Sequence, residues 1–510
     1  MVAVVPVIPT HELQPGQLSN HQGQQVYNGL DCCVTIEVLR EVRHLFNEEP
    51  IAYGFERALQ GPVLEMMLRG FKIDEFERQE NIKYIEELLV DLEATLNEFA
   101  MAVWDKPLNP RSRDQLIAFF HGVMKLPEIW TSKKGVRKQS MDRETLEKLS
   151  VYFHAQPFVN CILAIRDYKK QLEVLKTSIR NGRFYTSYNI GGTETWRFSS
   201  SADAYGEGGN IQNIKKDPDN LAQSKRRSIR KMFISDPGYK LVGIDLEQAE
   251  SREVGWLLWI LFGDPVYLDA CESGDLHTTT CRMIWPGFAW TGDPKKDRAL
   301  ADEIFYRDMT YRDMSKRGGH GTTYYGTPFT MSRHLKVALK MMQDFQQAFF
   351  TAYPGIPKWH QWVAQQIQTH PHAITTPFGM TRHFFGRQHD DTTLREAIAF
   401  SPQSSTAVRL NLALWRIWKH MHGRVQLLAQ VHDALYFQFR EGDNEAEIIK
   451  IALEFCKVLL EHKGRKFIIP GEAKVGWNWG NYHEKINPNG LRKYKGSDDR
   501  VRLEGLQRVM

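Results

Sequence analysis

Apolar positions along the chain fall into two kinds of pattern. Residues 54–100 carry them at helical spacing, broken at Gly70 within "RGFKID", and helical spacing returns at 142–180 and across most of 250–370. "VYNGLDCCVTIEVLREVRHLF" (26–46) is also helical and follows a Gln-, Pro- and His-rich stretch, 1–26, that reads as loose. Short β-like runs appear in "GRFYTSYN" (182–189), in "YKLVGIDL" (239–246), around 425–440 and at 466–477. "AITTPFGMTRHFFG" (373–386) has the form of a hairpin, and "SSSADAYGEGGN" (199–210) of a turn-rich loop. Between 105 and 140 the pattern is irregular, with "KKGVRKQ" as an exposed basic loop, and beyond 482 the chain is polar and basic. The mixture predicts an α/β or α+β fold rich in helix.

One stretch does not fit a plain strand. In "LLAQVHDALYFQF" two apolar runs flank His432 and Asp433. An unpaired carboxylate in apolar surroundings is costly, so Asp433 is either a simple turn residue or one of a pair. The candidate partner is Asp245, 188 residues earlier at the end of "YKLVGIDL". Its bland alternative is a helix cap, with Gln248 three residues on completing a capping box. Two carboxylates that meet repel, and a cation between them relieves the repulsion; hard oxygen ligands suit Mg²⁺, which takes the rest of its shell from water and phosphates. A phosphate-binding face is available in "YRDMSKRGGHGTTYYG", where Arg312, Lys316, His320 and Tyr324 recur every four residues on one side of a helix. The alternative is a solvated basic face. Gly318, Gly319 and Gly321 weaken a helix by about 1 kcal/mol each, which would make sense if backbone passed close to a ligand.

Composition narrows this little. Hydrophobic content of 42%, charged content of 25% and a net charge of +5 are ordinary for a globular chain and permit a polyanionic partner without requiring one. The six cysteines form no C-x-x-C pair, which argues against zinc and for a reducing compartment. No apolar run reaches the ~18 residues of a membrane span, and the first residues lack a signal-peptide pattern, so a soluble cytoplasmic protein without a membrane partner is expected.

The three stretches resemble, in order, the polymerase motifs of family A DNA polymerases, the bacterial DNA polymerase I type, in a divergent form such as phages carry. They are D-x-x-Q-x-E-x-R (Asp245, Gln248, Glu250, Arg252), then Arg312-x3-Lys316-x3-His320 with Gly321 and Tyr324, then Gln430-Val431-His432-Asp433. The resemblance extends over roughly 50–482. "GRFYTSYNIGGTETWRFSSS…GGNIQNI" is similar to a family stretch ending in T-x-T-G-R-x-S-S and N-x-Q-N; it places Arg197, Asn210, Gln212 and Asn213 where the family contacts primer–template DNA. "SGDLHTTT" places His277 at a triphosphate-contacting position, and "LREAIAFSPQSSTA" places Arg395 and Gln403 toward the DNA, as Gln430 and His432 would also be. The resemblance implies a right-hand fold with an antiparallel palm sheet and helical fingers and thumb: thumb at 49–190, palm at 191–260 and 393–482, fingers at 261–392, and a basic tail at 483–510. It implies addition of dNTPs to a primer 3′-hydroxyl in DNA replication. Two Mg²⁺ ions, with Mn²⁺ as a substitute, would be held by Asp245, the Leu246 backbone carbonyl and Asp433. Arg312, Lys316 and His277 would hold the triphosphate; Glu250 would exclude ribose, Tyr324 would position bases, and Gln248 and His320 would line the nucleotide site.

Several positions depart from the pattern. His320 replaces a Phe or Tyr, "GTTYYG" has one residue more than G-x-x-Y-G, Glu247 replaces a Ser, Ala399 an Asn, and Ala434 stands where the third motif has a second acid. Tyr27 and Asp31 resemble the Y-x3-D element of the family's 3′→5′ exonuclease, yet the residues before them cannot hold that whole domain. Residues 1–48 are therefore expected to be its remnant, or its C-terminal piece onto which a separate exonuclease subunit docks, with no proofreading by this chain alone. The competing functions are a single-subunit RNA polymerase and a non-enzymatic DNA-binding relic; Glu250 and "TETWRFSS" favour DNA synthesis over the first, and the paired aspartates argue against the second.

Overall fold

A computed structural model describes residues 20–44, 51–133, 136–203, 206–217 and 227–495. The expected loose stretch lies outside these up to residue 19, as does the tail from 496. The described part divides into two units, the first ending at Arg57 and the second beginning at Ala58. The first holds helix α1 (Asn20–Arg43), which already includes residues 20–26, and the first turns of α2 (Ile51–Arg69).

The second unit begins with helices. After the short strand β1 (Phe71–Ile73) comes α3 (Glu75–Trp104), started by Asp74, whose side chain accepts from the Glu77 N–H. Next are α4 (Arg113–Ile117), β2 (Trp130–Lys133), β3 (Val136–Gln139), α5 (Arg143–Leu149) and α6 (Gln156–Leu175). Apolar residues at three- and four-residue intervals make one stripe on each long helix: Ile85, Leu89 and Leu96 on α3 and Phe158, Ile162 and Ile165 on α6 are all buried. "KKGVRKQ" is not a free loop: Val136–Gln139 pairs with Trp130–Lys133 as an antiparallel ribbon.

The strands follow. β4 (Arg183–Phe184), β5 (Ser187–Asn189), β6 (Ser199–Ser201) and β7 (Phe233–Ile234) are short, whereas β8 (Tyr239–Leu246) runs through the middle of the main sheet. A helical layer comes next: α7 (Ala249–Phe262), α8 (Val266–Glu272), α9 (Leu276–Ile284), α10 (Pro294–Ala301), α11 (Tyr311–Thr323), α12 (Pro328–Leu335), α13 (Leu339–Ala352) and α14 (Gly355–Gln368). The ribbon β9 (Ile304–Tyr306) and β10 (Met309–Thr310) interrupts it. Val254, Leu258, Met314, Phe345, Phe349, Tyr353 and Trp359 belong to its common core. The foreseen hairpin is β11 (Ala373–Thr375) with β12 (Thr381–His383). The long α15 (Asp391–His420) leads to β13 (Val425–Val431), β14 (Ala434–Arg440), α16 (Glu445–Cys456), the ribbon β15 (Leu460–His462) and β16 (Arg465–Phe467), then β17 (Gly471–Gly476) and β18 (Arg492–Lys493).

The main sheet has the order β13-β14-β8-β17-β18 and is antiparallel throughout. Alternation sorts its two faces. Val242 and Ile244, with Leu435, Phe437 and Ala473, point to the buried side, where α15 and α16 pack. Asp245, Gly243, Ala434, Tyr436, Glu472 and Lys474 point the other way. Both sheet edges are occupied. On β13 the Tyr188 hydroxyl donates to the Gln430 carbonyl (3.0 Å) and accepts from the Gln430 N–H (3.1 Å), while the Leu427 N–H donates to Glu65 (3.2 Å). On the far side β18 covers β17, so the stretch beyond 482 is folded onto the sheet as far as it is described. All six cysteines are free, and no helix among the described residues is long and apolar enough to cross a membrane.

Candidate active site

Asp245 is the seventh residue of β8, facing solvent opposite the buried Ile244 and Leu246. It is not a helix cap. Helix α7 starts four residues later, and its cap residue Gln248 sits in the left-handed region (φ +50°) with no side-chain cap bond. Asp433 reaches Asp245 because β13 and β14 are joined by the two-residue turn His432–Asp433, with His432 at φ +53°. The register then sets Ala434 directly opposite Asp245, and the Leu246 N–H points to the Asp433 carbonyl at 3.4 Å. Strand pairing therefore brings together the two aspartates that the sequence separates. Loss of surrounding water raises the Asp245 carboxyl; Lys216 and Lys474 oppose this, Asp433 and Glu472 add to it, and the result stays above the ordinary carboxylate value.

Arg197 stands between the acids. Its Nη2 donates to Glu250 Oε1 (2.5 Å) and to Asp433 Oδ1 (3.1 Å), and the Tyr324 hydroxyl donates to the second Glu250 oxygen (2.6 Å). Burial alone would lower the Arg197 guanidinium, but Asp433 and Glu250 outweigh it and keep it charged. Trp196, just before it, occupies the glycine position of T-x-T-G-R and adopts φ +59°, a conformation unusual for a bulky residue. Its ring lies near Phe400, and its carbonyl accepts from Asn411 (3.4 Å), which also accepts from the Gln430 side chain (2.8 Å). The contact of Tyr324 with Glu250 separates the adjacent tyrosines: Tyr325 packs edge-on to His360 instead.

Helix α11 presents the basic face as expected. It is started by a capping box, Thr310 with Asp313. Arg312 is held by Asp275 through two bonds of 3.0 and 3.1 Å, and Asp275 also caps α9. Burial would raise the Asp275 carboxyl; the bond from Arg312, with those of Thr278, overcomes that and holds it far below the usual range. His277, on the first turn of α9, is pushed down to about 4 by burial and by Arg312, so it is neutral at physiological pH. Lys316 and His320 are exposed, and the His320 ring lies 4.8 Å from Tyr324. The glycines leave room for packing. A Cβ on Gly318 would come within 2.9 Å of Phe345, one on Gly319 within 3.1 Å of Phe349, and one on Gly321 within 2.1 Å of Met331.

The model of DNA polymerase family A matches residues 79–481, most of the chain and all the elements just described. The chain belongs to DNA polymerase family A. It is 27% identical over 445 residues to DNA polymerase I of Caldicellulosiruptor bescii, covering 84% of this chain and 47% of that protein. It is 28% identical over 435 residues to the thermostable DNA polymerase I of Thermus aquaticus, again with 82% and 47% covered. The chain thus spans about half the length of these curated relatives. Among solved structures, the POL domain of Pol1 from M. smegmatis, in complex with DNA primer-template and dNTP, superposes with a TM-score of 0.62 at 23% identity. That likeness covers 83% of this chain and 69% of the other and establishes the mixed α/β polymerase fold.

The remaining sequence-predicted residues fall in three places. Gln212 joins the site by accepting from the His432 N–H (3.0 Å), Asn210 accepts from Ser200 (2.9 Å), and Asn213 is exposed beside them. On α15, Arg395 is exposed near Asp391, whereas Gln403 is half-buried. Gln430 is only 2% exposed and is tied to Asn411, so its side chain offers no open surface for DNA in this arrangement. Tyr27 and Asp31 lie exposed on α1 in the other unit. Asp275 stands in "SGDLHTTT" but was given no role there; Glu472, in a short strand, gave no signal.

Proposed function

We propose that this chain is a template-dependent DNA polymerase that joins a dNTP to a primer 3′-hydroxyl, releasing pyrophosphate. The observation that carries this reading is the meeting of Asp245, on β8, with Asp433, in the turn beside its cross-strand neighbour Ala434, and the link from there through Arg197, Glu250 and Tyr324 to the end of α11, the helix of Arg312 and Lys316. The donor set fits the divalent ions of the family: Asp245 is raised first by loss of surrounding water and further by Asp433, and a cation between the two hard carboxylates relieves both. Two Mg²⁺ ions (or Mn²⁺) at Asp245, the Leu246 carbonyl and Asp433 would supply charge neutralisation for the attacking and leaving oxygens. Arg312, Lys316 and neutral His277 bind the triphosphate, Gln248 and His320 flank it, and most of the rate enhancement is positioning and electrostatics. Glu250, held by Tyr324 and Arg197, blocks a ribose 2′-hydroxyl. When substrate enters, Arg197 exchanges Asp433 for the primer terminus. Arg197, Asn210, Gln212, Asn213, Arg395, Gln403, Gln430 and His432 track the duplex, which requires Gln430 to leave Asn411.

The same proposal places thumb, palm and fingers at 49–190, 191–260 with 393–482, and 261–392. It makes the protein a divergent, phage-type member at work in a bacterial cytoplasm, with a separate exonuclease subunit docking on residues 1–48. Primer extension with Mg²⁺ tests the central claim. Template-directed products from dNTPs that vanish in Asp433→Asn are expected; synthesis from rNTPs only, or an Asp433→Asn variant as active as the parent, overturns it. Excision of a mismatched 3′ end by the pure chain would refute the separate-exonuclease reading.

A further inference from the structure

Family pattern and structure together leave a gap beside Asp245. The acid that follows the third-motif aspartate is Ala434 here, and Ala434 is the cross-strand neighbour of Asp245 on β14. The neighbour of Asp245 on the other side, on β17, is Glu472. Residues directly opposite in antiparallel strands share a face and stand about 5 Å apart at Cβ. Ala434, Asp245 and Glu472 thus form one row on the open face of the sheet.

A like charge directly opposite Asp245 is destabilising unless it is used or neutralised. Here it is neutralised only loosely. Glu472 lies 3.3 Å from Lys493 and 3.9 Å from Lys474, both well exposed, and its own side chain remains 26% accessible. A glutamate wanted only for that surface pair would gain little from a place beside a second carboxylate, because exposed ion pairs contribute about 1 kcal/mol at most.

We infer that Glu472 supplies, from the opposite flank of Asp245, the third negative charge that Ala434 no longer provides, and so strengthens divalent-cation binding at Asp245 and Asp433. It is a positioning residue, acting through the charge it adds to the row; Lys493 is the cation it leaves as the metal arrives. This rests on the polymerase reading above.

Mn²⁺ binding to the full chain, followed by the loss of the free-ion electron paramagnetic resonance signal, tests it without any turnover. Glu472→Gln should weaken Mn²⁺ binding about tenfold, the range typical of residues surrounding metal ligands. Lys493→Gln should tighten it, and should do nothing once Glu472→Gln is present. Adding Ala434→Glu to Glu472→Gln should recover most of the affinity, since both positions flank Asp245. Unchanged affinity in Glu472→Gln, or no recovery with Ala434→Glu, overturns the inference; if Glu472→Gln does not fold, an unchanged affinity in Lys493→Gln overturns it as well. Asp433→Asn separates the two claims. If it binds Mn²⁺ as the parent does, the metal site itself has been misread; if it loses binding while Glu472→Gln keeps it, only the role of Glu472 fails.

Discussion

Arg409→Met is the most informative perturbation away from the reacting groups. Arg409 on α15 and Glu253 on α7 are 1% and 0% exposed, and the Arg409 Nε donates to Glu253. Nη1 donates to the Val458 carbonyl at 2.5 Å, and the guanidinium lies 5.1 Å from the Phe378 ring and 4.9 Å from Phe467. Met preserves much of the stem but strips the counter-charge. Losing one partner of a buried pair costs about 3–5 kcal/mol, mostly from the charge left behind. Burial already raises the Glu253 carboxyl even with Arg409 present, and the variant raises it further. A group whose folded value is raised favours folding below its unfolded value and loses that contribution as pH rises. The destabilisation relative to the parent should therefore be smallest at low pH and begin to grow, by up to about 1.4 kcal/mol per unit, only once pH passes the raised value that Glu253 already has in the parent, until Glu253 ionises in the variant's fold. Adding Glu253→Leu removes the stranded acid and should recover most of the loss. Melting of the intact chain, followed by tryptophan fluorescence at pH 5 and 8, measures all of this. A loss independent of pH, or a double variant no more stable than Arg409→Met, would refute the reasoning. The pair also has a functional reach: α7 continues from the strand of Asp245, and α15 carries Asn411, which holds Gln430 ahead of Asp433.

Further expectations follow from the same geometry. Asp245→Asn should stabilise the metal-free protein at pH 7–8 while abolishing extension, because the groups around the Asp245 carboxyl displace water and raise it, so that its ionised form opposes folding; the gain should fade as pH falls from that raised value to the ordinary carboxylate value, and melting curves across pH check it. The pH–rate profile of extension should show an acid limb but no inflection from His277 between pH 5 and 8, since that ring is already neutral there; a profile for His277→Gln with a changed limb in this window would contradict it. Gly318→Ala should destabilise by about 1–2 kcal/mol despite the gain in helix propensity, because the new methyl meets Phe345, and a raised melting temperature would contradict the packing role.

What was legible in the sequence, and what was not, divides along a physical line. The strand carrying Asp245, the hairpin carrying Asp433 and the helical spacing of Arg312, Lys316 and His320 are local patterns, each set by period and turn chemistry within a few residues. The meeting of the aspartates needed the register between β8 and β14, which no local pattern encodes; only the ordered motifs pointed to it. The capping-box alternative for Asp245 failed because strand pairing with Glu472 and Ala434 carries β8 through that residue and leaves Gln248 to turn the chain. The packing role of the α11 glycines was not legible, because Phe345, Phe349 and Met331, which fill the space beside them, come later in the chain. Glu472 was invisible for the same reason: its neighbour in space is 227 residues away in sequence.

The closed edges of the main sheet have a consequence for assembly. A single phenol hydroxyl stands in for a missing strand at Gln430, a carboxylate does so at Leu427, and a two-residue strand with a lysine covers the opposite side. An unprotected edge is a template for another chain. During synthesis Tyr188 emerges long before β13 exists, so the plug is always waiting when the hairpin forms. A circular permutant opened between β6 and β8 would reverse that order, leaving β13 bare until the former N-terminal half emerges, and it should aggregate during synthesis even though the same chain refolds from denaturant as the parent does.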